Sequence, residues 1–550
     1  MRSRRVAAWL AVGVSAALFT SACGGGGGEA AGGAGGEATD ATISVNGSEP
    51  ENPLIPGNTS EVGGGKVVNA LFSGLVDYRA ENAEPYNVMA ESIETTDSKV
   101  YTITLKEGWT FHDGTPVTSQ SYIDAWNFVA YSPNGQQNAS FLSQIQGFAD
   151  VNTADPDGAE GPEQAPQPAA TEMSGLRAID DRTFEVTLSA PFSVFPTTLG
   201  YRAFAPLPEA FFTDQAAWEA NPIGNGPFRF VSRQPGVNIV VERWDEWKGE
   251  EKPSIGGVEF RFYESPDAAY ADVIANNLDY LEAIPSSALV GQLFETDLPE
   301  RSVNQTYLGN TTITFPLYDP KYQNPQLRQA ISLAIDRAAV NDTVYNGLRV
   351  PADGYIPPSL DGYIAGQCGD LCAFDPARAK QLFDSTGFTG PIEISSNVDG
   401  AGNQEAFQAV CVSITNALGV PCNFVPVPTF GEFRTTINAF QATTIFRTGW
   451  VADYPSIENF LNPLYKTNAS SNDGQYSNPQ VDALLAQADA APSTEAGIAL
   501  YQEAERAVLK DMPAVPLFYS TVQAGWSDRL QNVTTTQFRE LDLASVTVSE

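Results

Sequence analysis

The chain has 550 residues, enough for two or three domains, and 42% of them are hydrophobic, which supplies sizeable cores. Thirty basic side chains stand against 66 acidic ones, a net charge of −36. That balance excludes a protein that holds nucleic acid, or an anionic membrane, through a basic face.

In chain order, 1–22 read as an export signal. Arg2, Arg4 and Arg5 give a positive start, and Val6 to Phe19 is an apolar stretch too short to span a bilayer. Thr20-Ser21-Ala22-Cys23 then resembles a lipoprotein cleavage box, with Cys23 as the lipidated first residue. Residues 23–40, rich in Gly and Ala, read as a flexible tether. Tyr101, Ile103 and Leu105 alternate with threonines and predict a half-buried strand. Ser119 can cap a helix whose apolar face is Tyr122, Trp126, Val129 and Ala130. Residues 152–171, rich in Pro, Ala, Gly and acids, read as a surface insertion. Phe184, Val186 and Leu188, and then Val258, Phe260 and Phe262, predict two more strands. Asn324-Pro325 opens a helix through Leu327, Ala330, Ile331, Ala334 and Ile335 that Gly347 ends. Asp375-Pro376 opens another with Leu382 and Phe383 inside, and Val481 to Ala491 and Glu495 to Lys510 predict two late helices.

With Cys23 given to a lipid, four cysteines are left, an even number that suggests two disulfides in an oxidising compartment. Three pairings are open. Cys368–Cys372 and Cys411–Cys422 are favoured because both close short loops, while a zinc site would need a spacing unlike the common C-x-x-C pairs.

Several segments together resemble one family, the solute-binding proteins of bacterial peptide-type ABC importers. These are Leu71-Phe72-Ser73-Gly74-Leu75, the run Tyr101 to Thr118, and Asn221 to Phe228 with Asn225 where Thr is usual. Leu327 to Gly347 and Arg447-Thr448-Gly449-Trp450-Val451-Ala452-Asp453-Tyr454-Pro455 follow in the family's order. The resemblance implies an α/β, periplasmic-binding-protein-like fold of the large three-domain, peptide-binding variety, two lobes joined by a hinge. Lobe 1 is expected over 41–66, 197–308 and 517–550, an inserted domain over 67–196, and lobe 2 over 309–516. Hinge crossings are expected near Tyr307–Thr311 and Pro516–Ser520.

A free peptide presents an ammonium, a carboxylate and a row of backbone groups, and a site that takes many sequences should read those shared features. The resemblance places Asp453 on the ammonium; read alone, an Asp ahead of Pro455 is equally a helix cap. It places Arg447 on the carboxylate, as a planar fork suits, against a plain salt bridge. Gly449 and Val451 are expected to offer backbone hydrogen bonds, and Trp450 to wall the cleft or pack in the core. Phe141, where the family usually has Tyr, can pack on the ligand without donating a hydrogen bond. The only histidine, His112, reads as part of a His-Asp-Gly turn, and Gly114, Gly224 and Gly226 as backbone-turn residues.

The sequence therefore predicts a lipid-anchored binding protein at the extracytoplasmic face of the cell membrane. It is expected to be a monomer and not an enzyme, with no cofactor or metal. A short peptide and permease subunits with cytoplasmic ATPases are its expected partners. The alternatives are a relative that binds a metal chelate or oligosaccharide, and a surface adhesin or signalling lipoprotein.

Overall fold

A computed structural model describes residues 39–153, 165–263, 265–398 and 402–549. The export signal, Cys23 and the tether up to residue 38 lie outside the described residues, as do 154–164 of the expected insertion.

Two 13-residue strands, Ser302–Thr314 and Ala514–Trp526, pair antiparallel in the middle of an 11-stranded sheet. Beyond Ser302–Thr314 come Ile445–Val451, Ile392–Asn397 and Cys422–Val427. Beyond Ala514–Trp526 come Tyr280–Leu281, Thr42–Gly47, Gly257–Phe262, Asn238–Arg243 and Phe228–Gln234. Val350–Pro351 also pairs with Ala514–Trp526. The central pair is not one continuous ladder. Ser302–Thr306 matches Gly525 to Thr521, whereas Asn310–Thr314 matches Tyr519 to Ala514, with register shifts after Thr306 and after Thr311. Inside the first shift, Leu308 N–H donates to Gln537 O at 3.0 Å instead of across the ladder. Such irregularities bend and twist a strand pair locally.

A separate four-stranded antiparallel sheet comprises Ala90–Thr95, Val100–Leu105, Thr183–Thr187 and Leu176–Ala178. Alternate residues of Val100–Leu105 are buried, as its sequence pattern predicts. The helix Ser119–Ala130 lays Tyr122 and Trp126 on Phe184, each at a ring-centroid distance of 5.7 Å. Its cap is Thr118, in a box with Ser121, and not Ser119. The Ser119 hydroxyl donates instead to Asp180 O.

The helix expected from Asn324-Pro325 to Gly347 is two helices, Pro325–Leu333 and Arg337–Tyr345. Asp336 breaks the run because its carboxylate accepts from Ala339 N–H at 3.0 Å and starts a new helix. The apolar pattern ran on because Ala334 and Ile335 are fully buried in the break as well. The late helices, Pro479–Asp489 and Thr494–Asp511, lie where they are expected within two residues.

The Asn221 to Phe228 turn serves close packing. Gly224 and Gly226 do not have positive φ; a Cβ on them would lie 2.0 Å from Leu71 O and 2.5 Å from Leu71 C. Their role is thus backbone approach to the Leu71–Leu75 segment, which corrects the turn-residue expectation for these two. Gly114, with φ +84°, is a true turn glycine. Asn225 is fully buried between these glycines, donating to Ser73 O at 2.9 Å and accepting from Ser73 N–H at 3.2 Å. His112 locks the same turn. Its Nδ1 accepts from Gly224 N–H and its Nε2 meets Gly226 O, both at 3.1 Å, so the neutral ring fits these partners. Burial holds its pKa down to about 4, with the Gly226 carbonyl opposing.

Disulfides join Cys368 to Cys372 and Cys411 to Cys422, with Cα separations of 5.6 and 4.9 Å. The second ties the helix Asn403–Leu418 to the outermost strand of the main sheet.

Candidate functional site

The strand Ile445–Val451 carries most of the expected site residues. Its first two residues pair with Ile394 and Ser395 on one side; from Arg447 to Val451 that edge has no strand partner among the described residues. The other edge is fully paired, Gly309 to Val451 through Thr314 to Phe446. Ala452 N–H donates to Leu308 O at 2.8 Å, so even-numbered residues here turn their peptide groups towards Ser302–Thr314. By the same alternation Arg447, Gly449 and Val451 turn theirs to the unpaired edge. A Cβ at Gly449 would stand 2.9 Å from Asn310 O, which explains a glycine in a strand interior. Val451 is 47% exposed.

Asp453 follows where the strand ends. The turn Ile457–Phe460 is capped by Ser456, whose hydroxyl accepts from Glu458 N–H at 3.2 Å, so the Asp453 carboxylate is not used as its cap. Asn459 organises the corner instead. Its Oδ1 accepts from Asp453 N–H at 3.1 Å and from Trp450 Nε1 at 2.9 Å, and its Nδ2 donates to Asp453 Oδ2 at 3.3 Å. Among the described residues no cation forms an ion pair with Asp453. Burial pushes its pKa up to about 6, against the Asn459 hydrogen bond and the charge of Arg202. The Asp453 charge is felt in turn at Tyr201, whose phenol burial holds at about 12. Phe141 stacks on that Tyr201 ring at 4.1 Å between centroids, an apolar wall near the carboxylate.

Along the strand lies a cavity of about 390 Å³, lined by Arg447, Gly449, Trp450 and Val451 among others. Trp450 thus both lines the cavity and is fixed by Asn459. The Arg447 Nε is buried and has no hydrogen-bond partner. Burial lowers the pKa of this guanidinium. Thr448, which also lines the cavity, belongs to a threonine ladder, its hydroxyl 2.6 Å from those of Thr312 and Thr314.

The structure thus brings Arg447, Gly449, Trp450, Val451 and Asp453 along one strand and its corner, with Phe141 tied in through Tyr201. Asn459, Tyr201 and Arg349 were not singled out from sequence. Asn459 is one polar residue in a short buried turn, and Arg349 reaches the cavity from a loop almost a hundred residues upstream.

The model of the family described as Bacterial extracellular solute-binding proteins, family 5 Middle, matches residues 84–472. The Oligopeptide-binding protein OppA of Bacillus subtilis (strain 168) is 25% identical over 525 residues, 92% of each chain. The Periplasmic oligopeptide-binding protein OppA of Salmonella typhimurium (strain LT2) is 27% identical over 489 residues, 87% of this chain and 86% of that one. Haemophilus influenzae OppA, solved in complex with RPPGFSPFR, shares the fold, with a TM-score of 0.72 at 22% identity over 93% of this chain and 100% of that one.

The chain belongs to the bacterial extracellular solute-binding proteins, family 5. Its mixed α/β fold matches the peptide-binding proteins of that family, and the resemblance drawn from the motifs is borne out. Among the described residues no helix is long and apolar enough to cross a membrane.

Proposed function

We propose that this protein is the extracytoplasmic substrate-binding component of an ABC importer that captures short peptides and hands them to the permease. The observation that carries the reading is the half-buried Asp453 carboxylate, which has no ion-pair partner among the described residues, at the end of an unpaired strand edge. A peptide adding to that edge as a strand would meet the outward groups of Gly449 and Val451 and set its ammonium on Asp453. Arg447 would then receive its carboxylate. The register shifts in the central strand pair, between Thr306 and Asn310 and between Thr311 and Thr312, lie at the expected hinge crossing near Tyr307–Thr311 and support closure of two lobes there.

Calorimetric titration tests this reading. A free tripeptide should bind, its N-acetyl form should lose at least about 30-fold in affinity, and its C-terminal amide should bind more weakly unless Arg447 is replaced. Equal binding of free and acetylated peptide would remove Asp453 from the role and favour a non-peptide solute.

Cys23 as a lipid anchor rests on the sequence ahead of it. Two acyl chains hold a protein on a bilayer where one does not. Cys23→Ser should therefore shift the protein from the membrane fraction to the soluble one, and retention at the membrane would refute the anchor.

A further inference from the structure

The cavity beside Arg447 contains more positive charge than a peptide's terminal carboxylate requires. Three arginines line it: Arg349, Arg434 and Arg447. Arg434 is neutralised, its Nη1 2.7 Å and its Nη2 3.1 Å from the two oxygens of Asp473. Neither Arg349 nor Arg447 takes part in an ion pair among the described residues. In a chain with 66 acids to 30 bases, two arginines left without an acid in one cavity is a local inversion of charge.

Arg349 is held in position rather than loosely exposed. Asn341, itself buried, clamps its backbone from both sides: Oδ1 accepts from Arg349 N–H at 3.0 Å and Nδ2 donates to Arg349 O at 2.7 Å. Its guanidinium lies over the Tyr345 ring, 4.7 Å from the centroid. Tyr345 is fixed in turn by an edge contact with Phe518 at 5.5 Å. Arg349 is close enough to Arg447 that its charge helps to lower the Arg447 pKa, and both charges act on the Tyr345 phenol. Two like charges lining one cavity repel, and a ligand that brings two anionic groups relieves both.

We propose that this site selects short peptides that carry a second carboxylate near their carboxyl end, an acidic side chain, with Arg349 as the residue that reads it. The inference rests on the peptide reading above, with Arg447 facing the terminal carboxylate. Arginine suits the task because its fork gives a carboxylate two parallel hydrogen bonds, and a glutamine isostere of the ligand forfeits the charge while keeping the shape.

The test is calorimetric titration of wild-type protein and Arg349→Gln with peptides of three to five residues, each length made as an all-alanine peptide and with Glu or Gln at its last position. Thermal melting checks that the variant is folded. The expected result is a preference of the wild type for Glu over Gln of at least tenfold. Arg349→Gln should erase that preference. Equal affinity for Glu and Gln peptides in the wild type, or a preference that survives the substitution, overturns the proposal. If the alanine and Gln peptides bind without any gain from Glu, this inference alone falls. If no peptide of any series binds, the peptide reading falls with it.

Discussion

Replacing Asp453 by Asn should nearly abolish peptide binding and at the same time stabilise the ligand-free protein. The amide keeps an oxygen to accept the Asn459 Nδ2 hydrogen bond, and the backbone contact with Asn459 Oδ1 does not involve the side chain. What changes is the charge. Without it the ligand ammonium faces a neutral group in a desolvated corner, a loss of about 2–5 kcal/mol of affinity. The stability effect has the opposite sign. Burial raises the folded-state pKa of Asp453 from 3.8 to about 6, so the ionised carboxylate at neutral pH costs the fold about 2–3 kcal/mol. The Asp453→Asn variant is free of that cost, and melting of its ligand-free form should move up by a few degrees. A variant that binds peptide as the wild type does would refute the assignment of Asp453. One that melts lower would mean that the carboxylate serves the fold.

Acidification should weaken peptide binding about tenfold per pH unit below pH 6. Binding of the ammonium needs the Asp453 carboxylate ionised, and protonation competes with the ligand once the pH falls through about 6. Stability in the same window also depends on Asp77, Glu458 and Glu505, whose pKa values burial raises, and within it Asp453 and His112 act with opposite signs. Asp453, with its raised pKa, takes up a proton in the folded state first, so its penalty disappears as the pH falls from 6 towards 3.8. His112, with its pKa depressed from 6.5 to about 4, contributes stability that is present above 6.5 and lost as the pH falls through 4. Melting curves of wild type and Asp453→Asn between pH 7 and 4 should therefore converge on acidification, and the affinity of the variant should be flat with pH. A wild-type affinity that does not change between pH 7 and 4 would contradict the placement of the carboxylate.

The fold and the strand end of the site were legible because local patterns carried them. Val100–Leu105 announces itself by alternation, and Arg447 to Asp453 lie within seven consecutive residues, so one motif brings the strand, its glycine and its acid together. What escaped depended on neighbours far along the chain. Gly224 and Gly226 look like turn glycines until Leu71 is seen against them. The break at Asp336 was hidden because apolar spacing records which side faces the core and says nothing of whether the helix is continuous. Asn459 and Arg349 have no local signature at all. One is defined by three hydrogen bonds to the strand corner, the other by an asparagine clamp and a ring it covers.

An open strand edge is also a hazard, since any extended chain, including a second copy of this one, could pair with it. Here the open stretch is only Arg447 to Val451, and three of its residues turn their peptide groups outwards. A half-buried arginine stands at one end and a carboxylate just past the other. On the proposed reading, those two charges act as end stops. They favour a short chain with free termini and disfavour an internal segment of a folded protein, which arrives with neither an ammonium nor a carboxylate. The groups that would recognise a peptide thereby protect the protein from self-association through the same edge.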